Sequence, residues 1–153
     1  MNTNDKLNLR GRLTIEVRDS QNYIKELCEI DNLVVNTGLA YIISRMVGTA
    51  KNVMSHMAVG SGTTSAAAGD TSLETQIGSR KTLDSTTIAG SNDEKVVYVA
   101  TFSPGEGTGA ITEAGIFNAS TSGDMLCRTV FAVVNKAADD TMVITWTITV
   151  SAT

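Results

Sequence analysis

The sequence predicts an all-β fold, mainly antiparallel: a β-sandwich or jelly-roll-like domain with one short α-helix near residues 37–47. Three observations carry this expectation. Apolar and polar residues alternate in several runs, most clearly in 13–18 and 141–150, which is the two-residue period of a half-buried strand. Threonine, valine, serine and glycine are frequent and proline occurs 1 time, a composition suited to strands joined by tight turns. Only one stretch places apolar residues at helical spacing.

Within 10–20, Leu13, Ile15 and Val17 point one way and Thr14, Glu16 and Arg18 the other, as in a strand. Asp19 to Asn22 is turn chemistry, and 23–30 follows as a second strand to complete a hairpin. Leu39, Ile42, Ile43, Met46 and Val47 fall on one helical face, expected to pack on a sheet. Asn36 or Thr37 would cap that helix, and Gly48 would close it in a left-handed conformation. Residues 54–60 read as a strand with Met57 and Val59 on one face and Met54, His56, Ala58 and Gly60 on the other. Residues 60–72 are small and polar without apolar periodicity, so a loop that stays mobile unless a partner orders it is expected; Leu73 and Ile77 return to the core. Further strands are expected at 79–88, 94–102, 111–118, 124–134 and 141–150, with turns between them. In the last, Met142, Ile144, Trp146 and Ile148 share a face, which puts Trp146 in the core. About eight strands without repeat or linker give one domain, 10–153, after a polar N-terminal arm, 1–9.

A chain of 153 residues, 42% hydrophobic and 18% charged, builds a real core and is too apolar for disorder. Its net charge is −4, and its basic residues gather only at Lys6, Arg10 and Arg12, which argues against a nucleic-acid partner. No apolar run approaches the length of a membrane span, and the opening MNTNDKLNLRGR lacks the apolar stretch of a signal peptide. The expectation is a soluble protein made in a reducing cytoplasm, without a membrane partner, and with Cys28 and Cys127 as buried thiols.

Chemistry-bearing patterns are sparse. Gly60-Ser61-Gly62 begins like a phosphate cradle, but the lysine and hydroxyl of a P-loop are missing, and Ser65 stands where the dinucleotide fingerprint needs its third glycine. His56 is the only histidine, so any nucleophile–histidine–acid triad would have to use it. Cys28, His56 and Cys127 have no zinc spacing, and Asp84, Asp139 and Asp140 suit solvated turns better than a calcium loop. Paired carboxylates for glycoside cleavage meet only in space, but at 5% aromatic residues the chain is poor in sugar platforms. No enzyme activity is expected, nor any catalytic, cofactor-binding or metal site, nor a cofactor. Glu113 stands in an apolar strand between Ile111 and Ile116. It is either a solvent-facing residue or a partly buried one paired with Arg80 or Arg128.

Three segments taken together carry a resemblance: NLVVNTGLAYIISRMVG (32–48), MAVGSGTTSAAAGDTSLETQIGSRK (57–81) and ITEAGIFNASTSGDMLCRTVFAVVNKAADDTMVITWTITV (111–150). From about residue 10 to its end the chain resembles a group of small structural proteins of tailed bacteriophage virions. The "TEAGIF…RTVF" block also resembles segments of tail-fibre and baseplate-associated proteins. The resemblance implies a virion protein assembled in the host bacterial cytoplasm. Its leading form is a capsid decoration or cement protein on the outside of the head, since no long trimeric shaft or separate tip domain is evident. Its partners would be the major capsid protein and copies of itself, as a homotrimer or else a dimer. The alternatives are a tail, neck or baseplate fibre or adaptor, and a carbohydrate-binding module.

Overall fold

The computed structural model describes residues 6–48 and 51–152. The chain is mostly antiparallel β with one short helix, as its alternating runs require. Among the described residues there are nine strands: β1 Leu7–Arg18, β2 Ile24–Val34, β3 His56–Gly60, β4 Lys81–Thr82, β5 Ser85–Ala89, β6 Lys95–Phe102, β7 Gly109–Phe117, β8 Met125–Lys136 and β9 Thr141–Ala152. The helix α1, Asn36–Met46, lies between β2 and β3. The strands form one sheet in the order β4-β3-β7-β8-β2-β1-β9-β6-β5. This continuous sheet curls so that its two halves share a core, in place of two separate sheets. They join through β2, which pairs along its length with β1 but meets β8 only at Leu33 and Val34.

The expected alternation sets the core. Leu13, Ile15 and Val17 of β1, Tyr98, Ala100 and Phe102 of β6, and Met142, Ile144, Trp146 and Ile148 of β9 come from one half. Met57, Val59, Ile111, Ala114, Ile116, Leu126 and Val134 come from the other, and all belong to one buried cluster. The Trp146 indole N–H donates to Asn32 Oδ1 at 2.8 Å. Gly11, opposite Asn32 in the ladder, leaves the room this needs, since a Cβ there would collide with the Asn32 amide.

Boundaries differ from the sequence reading where pairing extends a strand. β1 begins at Leu7, with Leu7, Asn8 and Leu9 opposite Ala152, Ser151 and Val150. Residues 7–9 of the expected arm are therefore laddered, and residues 1–5 lie outside the described residues. The run 79–88 is split into β4 and β5, which pair with β3 and β6 respectively.

The helix is the main correction. Its first residue is Asn36, and no side chain caps its start; the Thr37 hydroxyl instead donates to the Met125 carbonyl at 2.7 Å. Gly48 does take the left-handed conformation, at φ 69°. The apolar stripe expected to pack on the sheet faces outward: Leu39, Ile43, Met46 and Val47 are exposed, Met46 by 78%. The buried side is Gly38, Tyr41 and Ser44, with Ile42 partly buried. Gly38 decides this. It lies so close to the Leu126 carbonyl that a Cβ would collide with it, so the helix presses its smallest residue against the backbone of β8. The larger side chains are rotated away from the sheet.

Candidate functional site

The stretch between β3 and β4 was expected to be mobile, and the structure pins it from beneath. β7 carries a bulge between Ile111 and Glu113. After it, Ala114 and Ile116 point into the main core, while Glu113 and Phe117 face the side covered by residues 60–78. Glu113 is 0% exposed. Its Oε1 accepts the backbone N–H groups of Gly62 at 3.1 Å and Thr75 at 2.7 Å, and its Oε2 accepts that of Glu74 at 3.0 Å. Arg128 of β8 donates from Nε to the same Oε2 at 2.9 Å.

From there Arg128 reaches further into the loop. Its Nη1 donates to Asp70 Oδ2 at 2.7 Å and its Nη2 to the Thr64 carbonyl at 3.1 Å. Asp70 also accepts the Ala67 N–H, and Glu74 accepts the Thr64 N–H and hydroxyl. Burial works against the Arg128 charge, but the bonds to Asp70 and Glu113 outweigh it and hold the guanidinium above its ordinary value. Burial likewise opposes the Asp70 charge, and the Ala67 N–H and Arg128 together bring its carboxyl below the usual range. Leu73 closes the assembly, packed with Val35, Ala58, Phe117 and Met125 in a second small core.

This arrangement explains Gly60-Ser61-Gly62. Neither glycine has a positive φ, so backbone freedom is not the reason for them. A Cβ on Gly62 would lie 2.6 Å from Glu113 Oε1, and one on Gly60 would collide with the Thr75 carbonyl. The glycines are the space the buried carboxylate occupies. Of the two arginines considered for Glu113, Arg128 is the partner. Arg80 instead stacks over the Phe117 ring at 3.5 Å and donates to the Ala119 and Ser122 carbonyls.

The other singled-out residues have structural employment. His56 Nδ1 is 2.8 Å from Ser55 Oγ, and its Nε2 is 3.5 Å from the Thr82 hydroxyl; among the described residues no carboxylate is hydrogen-bonded to it. Burial, then the nearby Arg80 charge, lowers its pKa and favours the neutral ring. Asp140 locks the β8–β9 turn, accepting the Ala137 N–H at 2.8 Å and Lys25 Nζ at 2.6 Å. Cys28 and Cys127 are free thiols, Cys127 buried and Cys28 partly exposed. Among the described residues, no three His, Cys, Asp or Glu side chains gather as metal ligands would. No described helix is long and apolar enough to cross a membrane.

The sequence reading missed two surface features. One is the outward apolar stripe of α1. The other is a depression of about 800 Å³ on the face of β1, β9 and β6 opposite the core, lined by Arg10, Arg12, Thr14, Lys95, Thr147 and Thr149 among others. No protein-family model, curated protein or solved structure matches this chain.

Proposed function

We propose that the chain is a structural protein of a tailed bacteriophage virion, most simply a decoration or cement subunit bound in many copies to the outside of the head. The observation that carries a surface-contact role is the uncovered stripe of α1. Leu39, Ile43, Met46 and Val47 recur at i, i+4, i+7 and i+8, so they form one continuous apolar surface on a helix anchored at Gly38. A contiguous exposed apolar surface of this kind is the usual mark of a protein contact. The buried charges, by contrast, are spent within the fold: Glu113 and Arg128 hold a loop, and Asp140 holds a turn. The phage assignment rests on the resemblance of residues 32–48, 57–81 and 111–150. Within the "TEAGIF…RTVF" block, Glu113 and Arg128 are the pair that fastens the loop, so this block speaks for a way of building the domain rather than for head or tail.

In this reading the stripe docks on the shell formed by the major capsid protein, and the curled sheet acts as a stiff clamp between neighbouring shell subunits. Buried area added across that seam opposes internal pressure without chemistry. The test is sedimentation of the protein with empty phage heads and, separately, with isolated tails, with bound copies counted on a quantitative gel. Hundreds of copies on heads, lost in an Ile43→Asp/Met46→Asp variant that melts like the parent, support decoration. Few copies confined to tails move the protein to the fibre or baseplate class. Binding to neither ends the virion reading.

A further inference from the structure

The depression on the outer face of the sheet stands apart from α1 and from the loop. Strand order places its residues. β9 lies between β1 and β6, and Thr149 is opposite both Arg10 of β1 and Lys95 of β6. One row across the three strands therefore reads Lys95, Thr149, Arg10, and the next row reads Val97, Thr147, Arg12. The core-facing residues of these strands, Leu13, Trp146 and Tyr98, point the other way. The depression thus has cations at its rims and hydroxyls along its floor.

The cations are incompletely neutralised. Arg12 has Glu29 at 3.4 Å and Asp31 at 3.7 Å. Among the described residues Lys95 has only Glu94, at 4.0 Å, whose carboxylate is already hydrogen-bonded to the Asn92 N–H. The Arg10 side chain is exposed and makes no ion pair or hydrogen bond with another described residue. Arg10, Arg12, Lys95 and Asp31 line the depression, with Glu29 and Glu94 beside it, so Arg10 is the cation that no described acid offsets and the charge an anion would meet first.

We propose that this depression is a binding site for an anionic oligosaccharide, with carboxylate groups on Arg10 and Lys95 and sugar hydroxyls on Thr147 and Thr149. Strands spaced about 4.8 Å apart put the two cation-bearing backbones about 10 Å apart, so an extended ligand lying across the strands meets both. The lining contains no aromatic side chain, which removes the stacking platform that a nucleic-acid single strand uses. It also leaves nothing to hold a neutral sugar by its face, so charge has to supply the affinity. β9 and β6 are paired on both sides here, and β1 is from Gly11 onward, so an acidic peptide finds no free edge to extend along β9 or β6.

The probe is tetragalacturonate, with neutral tetragalactose, a glutamate-rich peptide and a short oligothymidylate as comparisons, titrated into the full chain by calorimetry and by amide NMR. Tetragalacturonate is expected to bind in the micromolar to millimolar range, to shift amides in β1, β6 and β9, and to weaken as salt is raised. An Arg10→Ala/Lys95→Ala variant, checked for unchanged melting, is expected to bind about tenfold or more weakly. Arg45→Ala on the distant helix should bind as the parent does. Absence of saturable binding by the parent overturns the proposal, as does equal binding by the double variant. Tighter binding of the peptide or the oligothymidylate overturns the ligand class.

Discussion

Replacing Glu113 with alanine should detach residues 60–78 from the sheet. The substitution removes the acceptor of three backbone N–H groups, those of Gly62, Glu74 and Thr75, and of the Arg128 guanidinium. Breaking a buried ion pair from one side costs about 3–5 kcal/mol, because the remaining charge loses its compensation. Two considerations move the estimate in opposite directions. Arg128 keeps Asp70 and the Thr64 carbonyl, which lowers the cost; the Gly62 N–H is stranded in a buried setting, which raises it. A net loss of about 4 kcal/mol follows, a large share of the roughly 5–15 kcal/mol that holds an ordinary domain. At roughly 2–4 °C per kcal/mol for a domain of this size, the melting temperature should fall by about 8–16 °C.

Circular dichroism melts give the global effect, and hydrogen exchange read by mass spectrometry gives the local one. Protection of 60–78 should fall before that of β1 and β9. Glu113→Gln should recover less than half of the loss, since its amide keeps one acceptor oxygen but turns an N–H₂ toward donors. A double-mutant cycle with Arg128→Met should return about 2 kcal/mol of coupling. A Glu113→Ala protein that melts within about 2 °C of the parent and exchanges 60–78 at the parent's rate would refute the account of the loop.

Acid should loosen the same region. Asp70 and Glu74 are held below their ordinary values of 3.8 and 4.5, so their contribution is complete above those values and disappears as pH falls through the lower folded ones. Protection at 62–75, taken relative to the slower intrinsic exchange in acid, should therefore fall below about pH 4 before that of the core strands, and pH-independent protection would contradict this. Gly38→Ala should destabilise the helix's docking on β8, whereas Gly69→Ala, with open space around it, should be neutral or stabilise by about 0.4–1 kcal/mol; matching melts for the two would count against the close-approach argument. Ile43→Asp, on the outward stripe, should shift stability by no more than about 0.5 kcal/mol in denaturant titration, and a loss several times larger would mean that the stripe is packed. Cys127, buried and with its thiol pKa raised well above the ordinary value by desolvation, should resist alkylation until the protein unfolds, as a timed iodoacetamide reaction would show.

The strands were legible where each had one dry and one wet face. In β1 from Leu13 to Val17 and in β9 from Met142 to Ile148 every second residue is apolar and buried, and the alternation alone locates them. β2 was read to residue 30, but it runs to Val34 because Asn32 pairs with Gly11 of β1 and Leu33 and Val34 pair with Arg128 and Cys127 of β8. The helix was legible by period and misread by face. Periodicity marks the apolar side and says nothing of what meets it; the informative residue was Gly38, one place before the stripe begins. A glycine inside a helical run costs stability unless a close approach needs it, and here the backbone of β8 is that approach.

The loop shows a different limit. Its own residues, small and polar, are those of a mobile segment, and its order comes from Glu113 and Arg128, which lie some forty to sixty residues further on. Each was visible as a charge in an apolar strand, and Arg128 was one of two partners considered. Choosing it needed the β7–β8 register and the bulge before Glu113, both set by pairing across the sheet. The outer depression depends still more on assembly, because Arg10 and Lys95 flank Thr149 only once β9 is inserted between β1 and β6. The fold thus uses Glu113 and Arg128 to fasten the 60–78 loop and Asp140 to hold the β8–β9 turn, and leaves two outer faces uncovered, one apolar on α1 and one bearing Arg10 and Lys95 beside β9. A rigid body with two chemically distinct free faces is suited to joining two unlike surfaces. Loss of head binding in the Ile43→Asp/Met46→Asp protein with tetragalacturonate binding retained, and the reverse in Arg10→Ala/Lys95→Ala, would establish that the faces act separately. Loss of both activities in either variant would make them one site and remove the bridging argument.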